Sequence, residues 1–177
     1  MREMRLKKRE IHDKTILREI IEACDVVRIG LKDEEGIFIV PMNYGYDLDE
    51  SGESLKLTLY IHGAKEGRKA EAFSMEPAAA IEMDCMHEII TGDYTCSYSY
   101  AYRSIMGSGT VHELTDEQEK IHALARIMEH MAPEAELSFS PDMLQAVNVY
   151  CLEAVSFKGK ERKPKKTEEE EKTDGQS

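Results

Sequence analysis

The stretch IHGAKEGRKAEAF, residues 61–73, leads from the end of an alternating apolar strand into a short predicted helix. It places Lys65, Arg68 and Lys69 around Gly67, at the point where that helix begins. A helix start presents unpaired N–H groups and the positive end of a dipole, so cations there are disfavoured unless an anion neutralises them. Guanidinium and ammonium groups are common phosphate ligands. The stretch therefore predicts a site for a terminal phosphate; the alternative is a solvated helix face balanced by acidic neighbours.

Strands joined by turns lie on both sides of this stretch. Gly36 suits a hairpin turn between the first two strands. Pro41 falls inside the second strand and predicts a kink or bulge there, because proline removes a ladder donor. The six predicted strands are residues 26–31, 37–48, 55–64, 78–90, 96–114 and 147–160. So many strands with antiparallel turns favour a barrel, in which no edge is left exposed.

Helices flank the predicted strands. Asp13 is placed to cap the first helix, and Thr115 is placed to cap the longest one. The predicted helical segments are residues 13–24, a short stretch within 64–77 that closes at Pro77, residues 116–131 and a short element near 141–146. These elements predict a mainly β fold with flanking helices. A barrel of this size has a filled interior, so a cofactor would sit outside its wall, at a dimer seam.

Length and charge limit the function classes. The 177 residues suit an N-terminal arm (1–12), one domain (13–160) and a disordered charged tail (161–177). The net charge of −12 argues against nucleic acids and anionic membranes as partners. No apolar window is long enough to span a bilayer and no apolar signal core follows the N-terminus, so we expect a cytoplasmic protein. The cysteines and histidines lack metal-site spacing, so no metal is expected.

Four segments together resemble a known family. PMNYGY (41–46), LTLYIHGAKEGRK (57–69), MEP (75–77) and YRSIMGSGTV (102–111) are similar to the pyridoxamine 5'-phosphate oxidase-like flavin-binding proteins, and most of all to their nitroimidazole-resistance branch. The resemblance runs from the first helix to about residue 157. It implies a six-stranded antiparallel split β-barrel and a homodimer with flavin mononucleotide (FMN) at the subunit interface. FAD, which shares the proximal phosphate, is the alternative cofactor.

The resemblance also implies site residues. Arg68 and Lys69 match the two basic residues that grip the flavin phosphate. His62 and Gly63 match strand-end residues that line the same groove, and relatives commonly have serine where Gly63 stands. The other implied cofactor-binding residues are Val40, Pro41, Met42 and Asn43, whose backbone runs along the flavin ring, and Ser104, which reaches toward the flavin.

Two function classes follow. The first is an FMN-dependent oxidoreductase acting on a small acceptor such as a nitroaromatic compound, with His62 as the candidate catalytic residue. True pyridoxamine 5'-phosphate oxidases end in a strand with tryptophan and arginine residues that hold the substrate phosphate, whereas this chain has no Trp and ends in FKGKERKPKK before its acidic tail. The second class is a non-catalytic flavin or haem carrier, in which His62 would be the candidate axial ligand of haem. A half-buried strand histidine satisfied by a neighbour is the alternative reading of His62.

Overall fold

A computed structural model describes residues 4–75 and 77–164 of the chain. The strands in these ranges are β1 (Glu10–Ile11), β2 (Val27–Asp33), β3 (Gly36–Met42), β4 (Gly45–Asp49), β5 (Lys56–Gly63), β6 (Ala78–Ile90), β7 (Ser99–Glu113) and β8 (Asn148–Arg162). The helices are α1 (Lys14–Ala23), α2 (Arg68–Ser74), α3 (Glu117–Met131) and α4 (Pro141–Ala146), with short 3-10 turns at Lys7–Arg9 and Thr95–Ser97. The predicted tail from residue 165 onward, residues 1–3 of the predicted arm and Glu76 of the MEP motif lie outside the described residues. None of the described helices is long and apolar enough to cross a membrane.

The strands of the described chain join one antiparallel sheet, which confirms the mainly β architecture with flanking helices. The strand order is β3-β2-β6-β7-β8-β5-β4, and β1 pairs with β8. The predicted count of six strands is wrong, because residues 37–48 form two strands and β1 adds another. Among the described strands none pairs with the outer edges of β3 and β4, so the sheet is not closed by hydrogen bonds.

The two open edges of the sheet are consecutive in the chain. β3 ends at Met42 and β4 begins at Gly45, so only Asn43 and Tyr44 lie between them. Seven strands laid flat would separate these edges by six spacings, or about 29 Å. Three Cα–Cα steps reach at most about 11 Å, so the sheet must curl until its edges meet. Pro41 is tolerated on β3 because this strand pairs with β2 alone and leaves one edge free.

The core lies between the curled sheet and the helices α1 and α2. Asp13 caps α1 by accepting a hydrogen bond from the Thr15 amide at 2.8 Å, as predicted. Ile20 and Ile21 of α1 are fully buried. Tyr44, in the link between the sheet edges, is also fully buried, and its hydroxyl donates to the Ile21 carbonyl at 2.6 Å. The link is therefore part of the core and is tied to α1.

Helix α3 lies directly on the start of β4. A Cβ built on Gly45 would stand 2.3 Å from the backbone of Arg126, so a larger residue cannot fit unless α3 moves. Asp47 of β4 forms an ion pair with Arg126, with 2.9 Å between Oδ1 and Nε, and accepts a hydrogen bond from the Tyr60 hydroxyl at 2.8 Å. His122 Nε2 lies 2.7 Å from the same carboxylate. These contacts hold α3 across β4 and β5.

The cap of α3 differs from the predicted one. Asp116 caps this helix, because its Oδ1 accepts hydrogen bonds from the amides of Gln118 at 2.9 Å and Glu119 at 3.0 Å. The assignment of Thr115 as the cap is therefore wrong by one residue. A carboxylate also interacts more favourably than a hydroxyl with the positive end of the helix dipole.

Gly45→Ala should destabilise the protein, because the added methyl group must push α3 away from β4. We expect the free energy of unfolding, measured by urea denaturation, to fall by about 2 kcal/mol or more. Gly52→Ala is the matched control, since a Cβ there would meet its nearest atom at an ordinary 3.7 Å. Equal losses in the two variants would contradict the close approach of α3.

Candidate functional site

The end of β5 meets the chain segment that links the two sheet edges. Gly45 of β4 pairs with Tyr60 of β5, so Asn43, two residues before Gly45, and His62, two residues after Tyr60, lie at the same end of this strand pair. A side-chain contact agrees with this placement, since Lys69 Nζ lies 3.4 Å from Met42 Sδ. We call these five residues (Met42, Asn43, His62, Gly63 and Lys69) the lysine corner.

Lys69 is a half-buried cation in this corner. A Cβ at position 63 would stand 2.5 Å from the Lys69 Nζ, so the missing side chain of Gly63 makes room for the ammonium group. Within the described ranges no carboxylate pairs with Lys69, and its one side-chain hydrogen bond there is to the Met42 thioether. Burial lowers the pKa of Lys69, because the charged form loses hydration. A partly desolvated cation without a counter-ion is stabilised by an anion beside it.

Gly67 forms the N-terminal boundary of α2. Its φ of +100° is a conformation that favours glycine, and a Cβ there would meet nothing within 4 Å. The glycine is therefore required by the backbone rather than by packing. α2 has only seven residues and no side-chain cap, so its dipole is short and the positive charge near the corner comes mainly from side chains.

Arg68 and Lys69 have different partners. Arg68 donates two hydrogen bonds to Asp33, from Nε at 2.6 Å and from Nη2 at 2.8 Å. Its guanidinium carbon lies 4.1 Å from the centre of the Phe38 ring. Lys65 is exposed in the loop before α2, and no residue of the described chain forms an ion pair with it. The three predicted phosphate ligands therefore differ in their surroundings, since Arg68 is paired with Asp33, Lys69 lies in the lysine corner and Lys65 is exposed.

His62 is half-buried beside Lys69. Burial lowers the pKa of its imidazole, and the Lys69 ammonium lowers it further. The ring is therefore neutral at pH 7, with one nitrogen able to donate a hydrogen bond and the other able to accept one. No hydrogen bond joins the His62 ring to the part of the chain that the structure describes, so both nitrogens are available to a ligand.

The strand implied to run along a flavin ring leads from the sheet edge into the corner. Val40 is half-buried against the core, Pro41 is exposed and Met42 is buried. The Asn43 amide contacts the sulfur of Met131 at the end of α3. Because β3 pairs only with β2 among the described strands, the backbone groups on its other edge are unpaired.

Ser104 lies away from the lysine corner within one chain. It is buried on β7, opposite Asp84 of β6 and Lys160 of β8. Met106, two residues after Ser104, pairs with Glu82, Glu82 pairs with Arg28, and Arg28 pairs with Pro41. Three strand spacings, or about 14 Å across the sheet, therefore separate β7 from β3 at this level, so Ser104 does not contact residues 40–43 within one chain.

Two residues that shape the site have no clear signal in the sequence. Asp33 is typical of a residue that starts the turn at Gly36, and only the folded sheet brings it to Arg68, 35 residues later. Met131 contacts Asn43 across a separation of 88 residues. Neither contact follows from local spacing, because both depend on which strands and helices become neighbours.

Comparisons with known proteins agree with the fold. A family model for pyridoxamine 5'-phosphate oxidase matches residues 13–161. A candidate 5-nitroimidazole antibiotic resistance protein from Bacteroides thetaiotaomicron is 33% identical over 85% of each chain, with a TM-score of 0.72. The flavocytochrome Anf3 from Azotobacter vinelandii is 18% identical over 96% of this chain and 78% of that chain, with a TM-score of 0.75. The FAD and heme binding protein from Mycobacterium smegmatis is 15% identical over 96% and 81%, with a TM-score of 0.76. No curated protein matches the sequence.

The imidazole of His62 should titrate below the ordinary histidine pKa of about 6.5. Since its pKa in the folded state lies below that of the unfolded chain, protonation of His62 favours unfolding, and its effect on stability appears as the pH falls below about 6.5. Lys69→Met removes the neighbouring positive charge and should raise the His62 pKa. NMR titration of the imidazole protons measures both values. An unshifted His62 pKa in the unaltered protein would contradict the described burial.

Proposed function

Because the chain belongs to the pyridoxamine 5'-phosphate oxidase family, we propose that it binds FMN and acts as an FMN-dependent oxidoreductase on a small electron acceptor. The likeness to the candidate 5-nitroimidazole antibiotic resistance protein supports a nitroaromatic compound as the acceptor. The observation that carries the proposal is the half-buried Lys69 ammonium, which has no carboxylate partner in the described chain and which a phosphate group would neutralise.

The lysine corner suits the phosphate of FMN. Lys69 Nζ can donate hydrogen bonds to phosphate oxygens, and Lys65, four residues earlier in the chain, is a further exposed cation. The neutral ring of His62 can donate a further hydrogen bond. The chain has a net charge of −12, so most of its surface repels anions. A cation that has no carboxylate partner among the described residues is therefore a preferred position for a phosphate in such a chain.

The open edge of β3 suits the polar edge of the flavin ring. Residues 40–43 run along this edge into the corner, and their outward backbone groups can donate and accept hydrogen bonds. Pro41 has no N–H, so at this position the backbone offers only an acceptor. Bound flavin supplies the reversible redox chemistry of the reaction. The chain's own residues bind the phosphate, orient the ring and exclude water from one of its faces.

An exposed face of the sheet supports a homodimer with the flavin at its interface. Ile39 is 64% exposed, and its neighbours across the sheet are the small residues Gly30, Ala80 and Ser108. Small residues beside an exposed isoleucine allow a second copy to approach closely. Ser104 lies on the same face of β7 as Ser108 and is buried within one chain. Sedimentation velocity of the flavin-loaded protein tests this dimer.

Protein purified without added cofactor should release FMN, identified by mass spectrometry. Lys69→Ala should weaken FMN binding about tenfold to a hundredfold, since a hydrogen bond to a charged group contributes about 1.5–3 kcal/mol. Fluorescence titration measures the dissociation constant. The matched control is Lys56→Ala at the opposite end of β5, where the lysine pairs with Asp49 at 3.1 Å, and FMN binding should be unchanged. A haem band without flavin, or equal FMN affinity in the two variants, would refute the proposed site.

The loaded protein should reduce nitroaromatic or quinone acceptors with a reduced nicotinamide as the electron donor. The assay compares the rate per bound FMN with the rate of the same concentration of free FMN. A rate per bound FMN clearly above that of free FMN supports the oxidoreductase function. Tight FMN binding with a rate no higher than that of free FMN would refute the catalytic part of the proposal and favour a non-catalytic flavin carrier.

A further inference from the structure

Two side chains of α3 lie along the outer edge of β4. Among the described strands β4 pairs with β5 alone, so the carbonyls on its other edge have no strand partner. His130 Nδ1 lies 2.7 Å from the Tyr44 carbonyl oxygen, and Arg126 Nε donates to the Tyr46 carbonyl at 3.0 Å. The spacings agree, because four residues of a helix rise about 6 Å and two residues of a strand advance about 6.6 Å. α3 therefore takes the place of a neighbouring strand at this edge.

The half-buried ring of His130 also reaches the end of α1. Its second nitrogen, Nε2, lies 3.2 Å from the Glu22 carbonyl oxygen. Carbonyls in the last turn of a helix have no partner within that helix, so this oxygen is available to the imidazole. In the neutral ring, which carries a single N–H, the shorter contact assigns this N–H to Nδ1, which faces Tyr44. His130 therefore joins α3, α1 and the link between the sheet edges at one point.

The two residues of this link are both held. The side chain of Tyr44 is fully buried, and its hydroxyl donates to the Ile21 carbonyl at 2.6 Å. With this side chain and the main-chain carbonyl both held, ψ of Tyr44 is fixed, and so is the position of the nitrogen that continues toward Asn43. The side-chain amide of Asn43 contacts the Met131 sulfur. Consecutive residues at the end of α3 thus hold the two consecutive residues of the link.

We propose that His130 is a positioning residue for the flavin ring, acting through the Tyr44 carbonyl rather than by contact with the ligand. This inference rests on the proposed function, in which residues 40–43 run along the ring. Tyr44 directly follows these residues, so a movement of its backbone is carried to Asn43 through one planar peptide unit. Hydrogen bonds weaken steeply as their angle worsens, so a small rotation of this segment weakens its contacts to the polar edge of the ring.

His130 differs in its partners from the residues that attach α3 to β4. Arg126 and His122 both contact the carboxylate of Asp47 on β4, at 2.9 and 2.7 Å. Loss of a contact to Asp47 loosens the helix on the strand. Loss of the His130 contact instead frees the backbone of the link itself, and this difference makes His122 a suitable control.

The test uses substitutions that keep one nitrogen position of the imidazole. Asn carries its amide nitrogen at the δ position, where Nδ1 of His130 faces Tyr44, and Gln carries it at the ε position, where Nε2 faces Glu22. His130→Asn therefore keeps a donor for the link, His130→Gln keeps one for α1 alone, and His130→Leu keeps neither. The control His122→Leu makes the same change about two turns earlier in α3 and removes a contact to Asp47.

Each variant is measured with and without flavin. In the flavin-free protein, urea denaturation gives the free energy of unfolding, and amide hydrogen exchange of residues 40–46, followed by mass spectrometry, reports the mobility of the link. Fluorescence titration gives dissociation constants for FMN and for riboflavin, which has the same ring system and no phosphate. The midpoint potential of bound FMN reports the contacts made by the ring.

A positioning role predicts the same pattern in His130→Leu and His130→Gln. Exchange of residues 40–46 should be about threefold to tenfold faster, and FMN and riboflavin should both bind about threefold to tenfold more weakly. The potential of bound FMN should shift in these two variants. His130→Asn should restore the exchange rate and both dissociation constants to within about twofold and should return the potential to that of the unaltered protein. His122→Leu should lower only the free energy of unfolding.

Three results would overturn the inference. Unchanged dissociation constants and potential in His130→Leu, together with a lower free energy of unfolding, would make His130 a structural residue only. Recovery in His130→Gln instead of His130→Asn would place the relevant contact at Glu22 rather than Tyr44. Equal shifts in His122→Leu would assign the effect to general loosening of α3. If the unaltered protein bound neither flavin, the proposed function would be refuted and this inference with it.

Discussion

The two-residue link between the edges of the sheet is the constraint on which the rest of the structure depends. Asn43 and Tyr44 are too short a connection for a flat seven-strand sheet, so the sheet curls and encloses a core. The same curl brings the end of β5 beside residues 40–43. Tyr44 is buried at this crossing and is bonded to α1. The candidate site and the core therefore arise from one geometric requirement.

Charge pairing distinguishes Lys69 from the arginines of the protein. Arg28, Arg103 and Arg126 each pair with two carboxylates on the folded surface. Arg68 follows the same pattern at the β2–β3 turn. Lys69 lies instead against Gly63 and a thioether. In an acidic chain this makes it a cation whose electrostatic partner has to come from outside the described residues.

Much of the secondary structure could be predicted from the sequence, because it depends on local patterns. Asp13 as a cap and the strand at residues 78–90 both agree with the structure. The break at Asn43 and Tyr44 could not be predicted, since alternation continues through it and only the sheet order shows that the two halves pair at opposite edges. The kink was expected at Pro41, which instead occupies an edge strand without interrupting it.

The candidate site was predictable in its segments but not in its contacts. The resemblance implies that residues 40–43 lie near His62, Gly63 and Lys69. The spacing of these residues along the chain does not show this, because it depends on how β4 pairs with β5. The pairing of Arg68 with Asp33 and the distance of Ser104 from the corner also depend on strand order. Sequence patterns identify the groups, whereas long-range pairing decides which of them meet.

The proline on the open edge of β3 also limits how unrelated chains can attach to the protein. An edge strand that exposes Ile37 and Ile39 is a template on which a foreign strand can add and begin aggregation. Pro41 removes one donor from that template and shortens the stretch available for strand addition. The edge is thus a poorer nucleus for fibrils than an edge strand of the same length without a proline.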